Sequence, residues 1–461
     1  MLAWGCHLME RFFLKKLELW LVGLLIVFGL GCTILFGAMV KNVALGYDRF
    51  GKLGAWSFAL ASVPADAQKI LRGGADNWMQ LPESNRFEGR AGFRFAADNP
   101  DAGPDGFLLL SRYDGNIQRH VVELLDLSSG EIDFRVELDT DRYFEGVAFD
   151  KDNALATPWN PNRFRAIHPI ATTNGDLLIK DHSGPLARVS PCGELVWLLA
   201  DGDYHHSINA APEGGYWIPT RVPLENLDRM VSEFSNPGLA RISEEGEILY
   251  QRSLGNIIME NGLEHLILSV ADTFEHNRMH LNDIQPVASD GPFWKRADAF
   301  LSLPAISTII LFRPSTDQII WMKQGPWLAQ HDVDIVNEHT IAVFNNDTVN
   351  LGSGPFVRGA NKVTYYDFAT DKTHSPHDAT LIRHEVRTKF GGLFERLPKD
   401  HLMVEETGGG RLAITDANGD LFAEYVNRAQ DGKLYHLGWS RYLGQTEGED
   451  TRDAMLAADC R

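Results

Sequence analysis

A chain of 461 residues, 44% hydrophobic and 10% aromatic, has material for one large repeat domain or two ordinary ones. Its 43 Lys and Arg face 62 Asp and Glu, a formal net charge of −19 without a basic stripe; this disfavours nucleic acid as a partner, because a phosphate backbone would be repelled. Four scattered cysteines without a CxxC argue against a disulfide scaffold and a cysteine zinc site, and leave a Cys192–Cys460 bridge open for an oxidising compartment.

The first element is Leu19 to Val40, an uncharged apolar run long enough to span a bilayer. Arg11, Lys15 and Lys16 precede it and place the N-terminus in the cytoplasm. The run is longer than a signal-peptide core, and Phe36-Gly37-Ala38-Met39-Val40 is a poor cleavage site, so an uncleaved single-pass anchor is expected with the rest of the chain outside the cytoplasm. The expected division is 1–18 cytoplasmic N-terminus, 19–40 transmembrane anchor, 41–105 neck, 106–445 β-propeller and 446–461 C-terminal tail. In the neck, Ala65 to Leu71 reads as weakly helical and Asn77 to Pro104 as irregular.

From Gly106 short apolar strands alternate with turn clusters such as Asn174-Gly175-Asp176, Cys192-Gly193-Glu194, Glu245-Gly246-Glu247 and Asn418-Gly419-Asp420. Six groups of strands can be marked off, spaced by roughly 40–60 residues, near the typical 40–50 of propeller repeats. The expected fold is all-β: a six-bladed β-propeller preceded by a single N-terminal transmembrane helix. Val222 to Pro237 and Gly255 to Met279 read as inserts on the blade faces, the second with a helix over Leu263 to Phe274.

The first strand of a propeller blade lines the central channel, so equivalent positions converge on one axis. His206 precedes Glu213 of its turn by the same interval as His331 precedes Glu338, and His280 opens its group in the same way. Three histidines from three blades are therefore expected at one end of the channel, with Asn282 on the strand face of His280. Imidazoles also suit Zn, Cu or Ni, but the one nearby carboxylate, Asp332, is pointed away by strand alternation; neither metal nor cofactor is expected.

The His-leading repeats, His280-x-Asn282, and Gln330-His331-Asp332 followed by Val343-Phe344-Asn345-Asn346-Asp347 resemble the bacterial arylsulfotransferases (the arylsulfate sulfotransferase, ASST-like group) over about residues 105 to 440. The resemblance implies an exported six-bladed propeller that moves a sulfuryl group from a phenolic sulfate donor to a phenolic acceptor through a sulfated histidine, without a nucleotide donor. It implies His331 as the nucleophile and His206, His280 and Asn282 around the sulfate; Thr407, after Glu405-Glu406, is a further candidate for a channel contact. Family members carry an arginine where this chain reads Leu301-Ser302-Leu303-Pro304, so Lys295, Arg296 and Arg358 are the loop cations expected to substitute. Two other readings remain open at this level: a propeller that binds an anionic or phenolic ligand without turnover, and a scaffold propeller with structural histidines.

Overall fold

The computed structural model describes residues 18–44, 49–73, 79–82, 85–96, 103–147, 164–224, 234–268, 275–352 and 354–460. The chain divides into two units, one holding Met1–Asp76 with Val270–Phe274, the other Asn77–Ser269 with Glu275–Arg461. In the first unit, Leu19–Ala44 is a continuous helix whose Leu19–Val43 stretch is long and apolar enough to cross a membrane. A second helix, Gly51–Gly73, contains the weakly helical stretch expected at Ala65 to Leu71 and begins well before it. It returns antiparallel to the first, with Ser57 Oγ against Met39 Sδ at 3.7 Å.

The second unit is built of antiparallel sheets in a propeller-like arrangement. One sheet holds Phe107–Asp114, Arg119–Asp126 and Ile132–Glu137, and takes its innermost strand, Arg441–Leu443, from the other end of the chain. A four-stranded sheet follows the chain without a break, Asp283–Pro286 to Gln318–Gln324, and another, His331–Asn337 to Lys372–His374, does so apart from two short strands between its second and third. The sheet from Leu393–Leu397 to Leu421–Val426 gains a fifth strand, Gly92–Phe95, inside the stretch read as irregular.

The remaining strands, from Ile170–Ala171 to Ile248–Ser253, form one eight-stranded sheet where two separate ones were expected. The cause is the long strand Leu195–Tyr204, whose end reaches the next group and pairs Tyr204 with Thr220. Four sheets of four or five strands and this larger one thus stand in place of six separate sheets. A two-stranded ribbon, Thr348–Asn350 with Pro355–Val357, is added to them.

Burial runs radially. The second strands of the sheets, such as Ala299–Leu303 and Thr340–Asn345, are buried along their whole length, whereas Lys372–His374 at an outer edge is exposed throughout. Strands covered on both faces need no polar alternation, which is why Phe107-Leu108-Leu109-Leu110 is a solid apolar run. Apolar clusters fill the space between successive groups of strands. The last packs Leu412, Ile414 and Phe422 against Leu108, Leu110 and Leu125, so the ring closes on itself.

The stretch expected as a tail is the helix Gln445–Leu456, with Gly448, Thr451 and Met455 buried, and Cys460 beyond it is bonded to Cys192. Of the insert helix expected over Leu263 to Phe274, the structure holds a short turn at His265–Leu268 after Leu254–Glu260; residues 269–274 and 225–233 lie outside the described residues.

Candidate active site

Five of the inner strands are entered through a non-glycine or glycine residue in the left-handed region immediately before or near their start: His168 (φ 51°), His206 (φ 58°), His280 (φ 36°), Gly392 (φ 98°) and Trp439 (φ 61°). Such a conformation costs a non-glycine residue roughly 1–3 kcal/mol and tends to collect at functional sites. The strand His331–Asn337 departs from this pattern by one position. Ala329 (φ 51°) precedes it in the left-handed region, a second left-handed residue, Asp332 (φ 51°), lies inside it, and the ladder slips between His331 and Val333. Strict alternation therefore fails at Asp332. Its carboxylate turns to the neighbouring sheet and accepts the Phe394 N–H at 2.8 Å.

These entries bring His206, His280 and His331 to the wall of one cavity of about 690 Å³. The rings of His206 and His280 are 4.9 Å apart. Trp439, which the sequence reading did not single out, stands between the groups, with its indole 5.7 Å from His331 and 6.1 Å from His206. Thr407 also lines the cavity, and its hydroxyl donates to Glu405 Oε1 at 2.8 Å. That carboxylate is fully buried and accepts the backbone N–H groups of Trp439 and Ser440 at 2.8 and 2.7 Å. Asn282 lies behind the wall, completely buried, where its amide donates to the Gln330 carbonyl at 2.9 Å and so fixes the backbone just before His331.

Hydrogen bonding sets the tautomer of each ring. His331 Nδ1 faces two acceptors, Asn346 Oδ1 at 2.8 Å and the Ala329 carbonyl at 3.1 Å. The orientation of the Asn346 amide follows from its nitrogen, which donates to the carbonyls of Thr388 and Gly391. Nδ1 of His331 therefore carries the proton, and Nε2 keeps a lone pair toward the cavity, 3.3 Å from the Gly391 N–H. Burial pushes His331 down to about 4 against the pull of those two acceptors.

His205 Nε2 donates to the Thr220 carbonyl, so its Nδ1 accepts from His206 Nδ1 at 2.8 Å, which leaves His206 Nε2 bare. His280 Nδ1 instead accepts from the Asn277 amide, which leaves Nε2–H as a donor. Burial, aided by the neighbouring His331, takes His280 down to about 3, and burial with His182 and His280 holds His206 well below its usual value. Both are neutral near pH 7.

The cations expected to replace the family arginine are engaged elsewhere or do not line the cavity. Arg296 donates to the Pro212 carbonyl, Arg358 pairs with Asp347, and Lys295 is not in the wall. Pro304 and Ala305 line the cavity themselves, giving an apolar wall there. The basic side chains in the wall are Arg86, Arg165, Arg387 and Lys389. Arg165 contacts His436 Nδ1 at 3.4 Å and has no carboxylate within ion-pair distance among the described residues. Arg86 is paired with Glu406 at 2.9 Å. These cations come from loops outside the repeated strand pattern and carry no sequence signal of their own. No three His, Cys, Asp or Glu side chains among the described residues are grouped as a metal site requires.

No curated protein matches the chain. Among solved structures, a protein of unknown function from Bacteroides caccae has 11% identity and TM-score 0.45, covering 74% of this chain and 99% of its own. Virginiamycin B lyase from Staphylococcus aureus has 10% identity and TM-score 0.36, covering 72% of this chain and 87% of its own. The sequence model of the arylsulfotransferase (ASST) family matches residues 168–428, which include His206, His280, His331 and Thr407. Matched over more than half its length, the chain belongs to the arylsulfotransferase (ASST) family.

Proposed function

We propose that the protein transfers a sulfuryl group between phenols through His331, with no nucleotide donor. The observation that carries the reading is the His331 ring: Nδ1–H held by two acceptors, an unprotonated Nε2 in the cavity wall against the Gly391 N–H at 3.3 Å, and a pKa lowered to about 4 by burial. In the first half-reaction Nε2 attacks the donor sulfur. The N–S bond forms as the bond from sulfur to the aryl oxygen breaks, and the phenolate leaves and takes its proton from water. The imidazole becomes a cationic N-sulfo ring whose Nδ1–H bonds strengthen as the charge develops. In the second half-reaction the acceptor phenol gives its proton to Nε2 of His206, its oxygen attacks sulfur, the N–S bond breaks and neutral His331 is restored, and His206 then releases the proton to water.

A sulfuryl group in flight spreads charge over three oxygens, as a phosphoryl group does, and donors already in place stabilise it. The Gly391 N–H and His280 Nε2–H serve here as neutral donors. Thr407 and Glu405 hold the facing wall, and Asn282 positions the segment leading into His331.

The remaining parts of the reading concern setting. The eight-stranded sheet counts as two blades joined at Tyr204 and Thr220, which makes six in residues 106–445. Leu19–Ala44 serves as a single-pass anchor with the N-terminus cytoplasmic and the propeller outside, in the periplasm of a bacterial host. The Cys192–Cys460 bond supports such an oxidising location.

The test is intact-mass spectrometry after exposure to 4-nitrophenyl sulfate. The folded parent gains one acid-labile sulfuryl group and His331→Ala gains none; no gain in the parent, or an equal gain in the variant, overturns the reading. The apolar wall at Pro304 and Ala305 favours a second reading, a propeller that binds sulfate esters without turnover. It predicts saturable binding with no mass gain.

A further inference from the structure

The loop from Arg387 to Gly391 runs between the cavity mouth and the nucleophile. At its inner end the Gly391 N–H meets His331 Nε2 at 3.3 Å. At its outer end Lys389 and Phe390 are exposed, Phe390 at 61%, yet both line the cavity. Each of the five carbonyls in this loop accepts a side-chain hydrogen bond. Arg387 O is held by Arg86, Thr388 O by Asn346 and Asn361, and Lys389 O by Thr348. Phe390 O is held by Thr388 and Gly391 O by Asn346. A loop pinned at every carbonyl is a pre-organised wall, and the side chains it projects are presented at fixed places.

The charges on that wall are out of keeping with the protein. The chain carries −19, yet no Asp or Glu among the described residues lines the cavity. Its cations enter from different segments. Arg165 precedes the inner strand Ile170–Ala171 and lies beside His436, with no carboxylate within ion-pair distance of its guanidinium among the described residues, Asp181 and Glu405 acting on it from further off. Arg387 and Lys389 stand on the pinned loop. Arg387 has only a 3.7 Å approach to the exposed Glu385, and Lys389 Nζ has no partner among the described residues. A transferring sulfuryl group brings one negative charge. Lys389 lies two residues from Gly391, so its backbone is within about 7 Å of the one that meets His331 Nε2. That is about the length of a benzene ring with its para substituent.

Resting on the sulfuryl-transfer reading, we propose that the loop Arg387–Gly391 forms a subsite for a second anionic group, so that the substrates are aryl sulfates bearing a carboxylate or similar anion remote from the ester. The sulfuryl group lies at His331 Nε2 and the Gly391 N–H. The ring lies along Phe390, and the second anion meets Lys389 and Arg387.

The experiment compares kcat/KM for two esters of equal shape, 4-carboxyphenyl sulfate and 4-carbamoylphenyl sulfate. It is run on the full protein at about 0.15 M salt, where the Debye length of about 8 Å mutes remote charge. The carboxylate is the weaker electron-withdrawing group, so intrinsic reactivity favours the amide. The parent is expected to favour the carboxylate by about tenfold or more, the scale of one charge-assisted contact. The ratio falls toward one in Lys389→Gln and in Lys389→Gln with Arg387→Gln. A parent ratio of one or below, or a ratio that both variants leave unchanged, overturns the subsite while the transferase reading stands. Absence of His331-dependent sulfation with both esters overturns the two together.

Discussion

Asn346→Ala separates chemistry from architecture at His331, the proposed nucleophile. Asn346 Oδ1 accepts the His331 Nδ1–H at 2.8 Å, and the Ala329 carbonyl at 3.1 Å remains as a second acceptor in the variant. A neutral hydrogen bond contributes about 0.5–1.5 kcal/mol and one to a charged group about 1.5–3. The difference, about 1–1.5 kcal/mol, arises only as the ring becomes a sulfo-imidazolium, so it acts on the barrier. At 1.36 kcal/mol per decade, sulfation of the variant should be about 5- to 13-fold slower. The same substitution removes the donor to the carbonyls of Thr388 and Gly391; Thr388 keeps Asn361 at 3.0 Å, and Gly391 keeps none among the described residues. An orphaned buried carbonyl costs about 1–3 kcal/mol, which thermal melting will register as a fall of a few degrees.

The assay is the rapid-mixing burst of 4-nitrophenolate at saturating ester, with KM followed separately. Asn346→Asp is the companion variant. Its carboxylate accepts the Nδ1–H but cannot donate to the loop, so it should retain burst rate above the alanine variant. It should also move the acid limb of the pH profile upward, since a nearby anion favours the imidazolium. An unchanged burst rate constant in Asn346→Ala beside a lowered melting temperature would reduce Asn346 to a structural residue.

Three further outcomes follow from the geometry. Attack requires unprotonated Nε2, and burial lowers His331 to about 4, so the burst rate should stay level down to about pH 5 and fall about tenfold per unit below about pH 4; an acid limb near 6.5 would contradict the buried ring. Gly391→Ala places a Cβ at φ 67°, 3.1 Å from Trp439 Nε1 and 3.3 Å from Thr407 Cβ, and should shift the N–H from His331, seen as a slower burst and a melting temperature lowered by about 1–3 kcal/mol of strain. Reducing the Cys192–Cys460 bond, which joins positions 268 apart, should cost about 5 kcal/mol in the chain-entropy account, measured as a lower denaturant midpoint that Cys192→Ser with Cys460→Ser reproduces.

The strands were legible because their burial follows a simple rule. Runs such as Phe107–Leu110 and Ile309–Phe312 are apolar throughout, and turns between strands carry Gly or Asp where a left-handed residue is needed. The convergence of His206, His280 and His331 was legible because repetition in the chain becomes rotation about an axis. The one-residue offset of His331 was not, because a bulge breaks the count that alternation relies on. Trp439 escaped notice because its strand belongs, in space, to the first sheet. Phe107–Leu110 opens that group with only three local strands, and their missing neighbour lies more than three hundred residues away. The cations escaped for a different reason. Arg165, Arg387 and Lys389 lie on connecting loops, where a basic residue is ordinary until its surroundings are known. The helix Gly51–Gly73 was underestimated because Pro64 sits within it.

The ring is latched by Arg441–Leu443, and the same segment delivers Trp439 between the imidazoles. A ribosome therefore makes nearly the whole propeller before the pocket can exist. In the proposed mechanism, partly synthesised chains hold His331 but not its enclosure, so sulfate esters met before closure would escape it. Competence arrives in one step, when the last inner strand docks, and a protease that clips that strand would switch the protein off without touching a histidine.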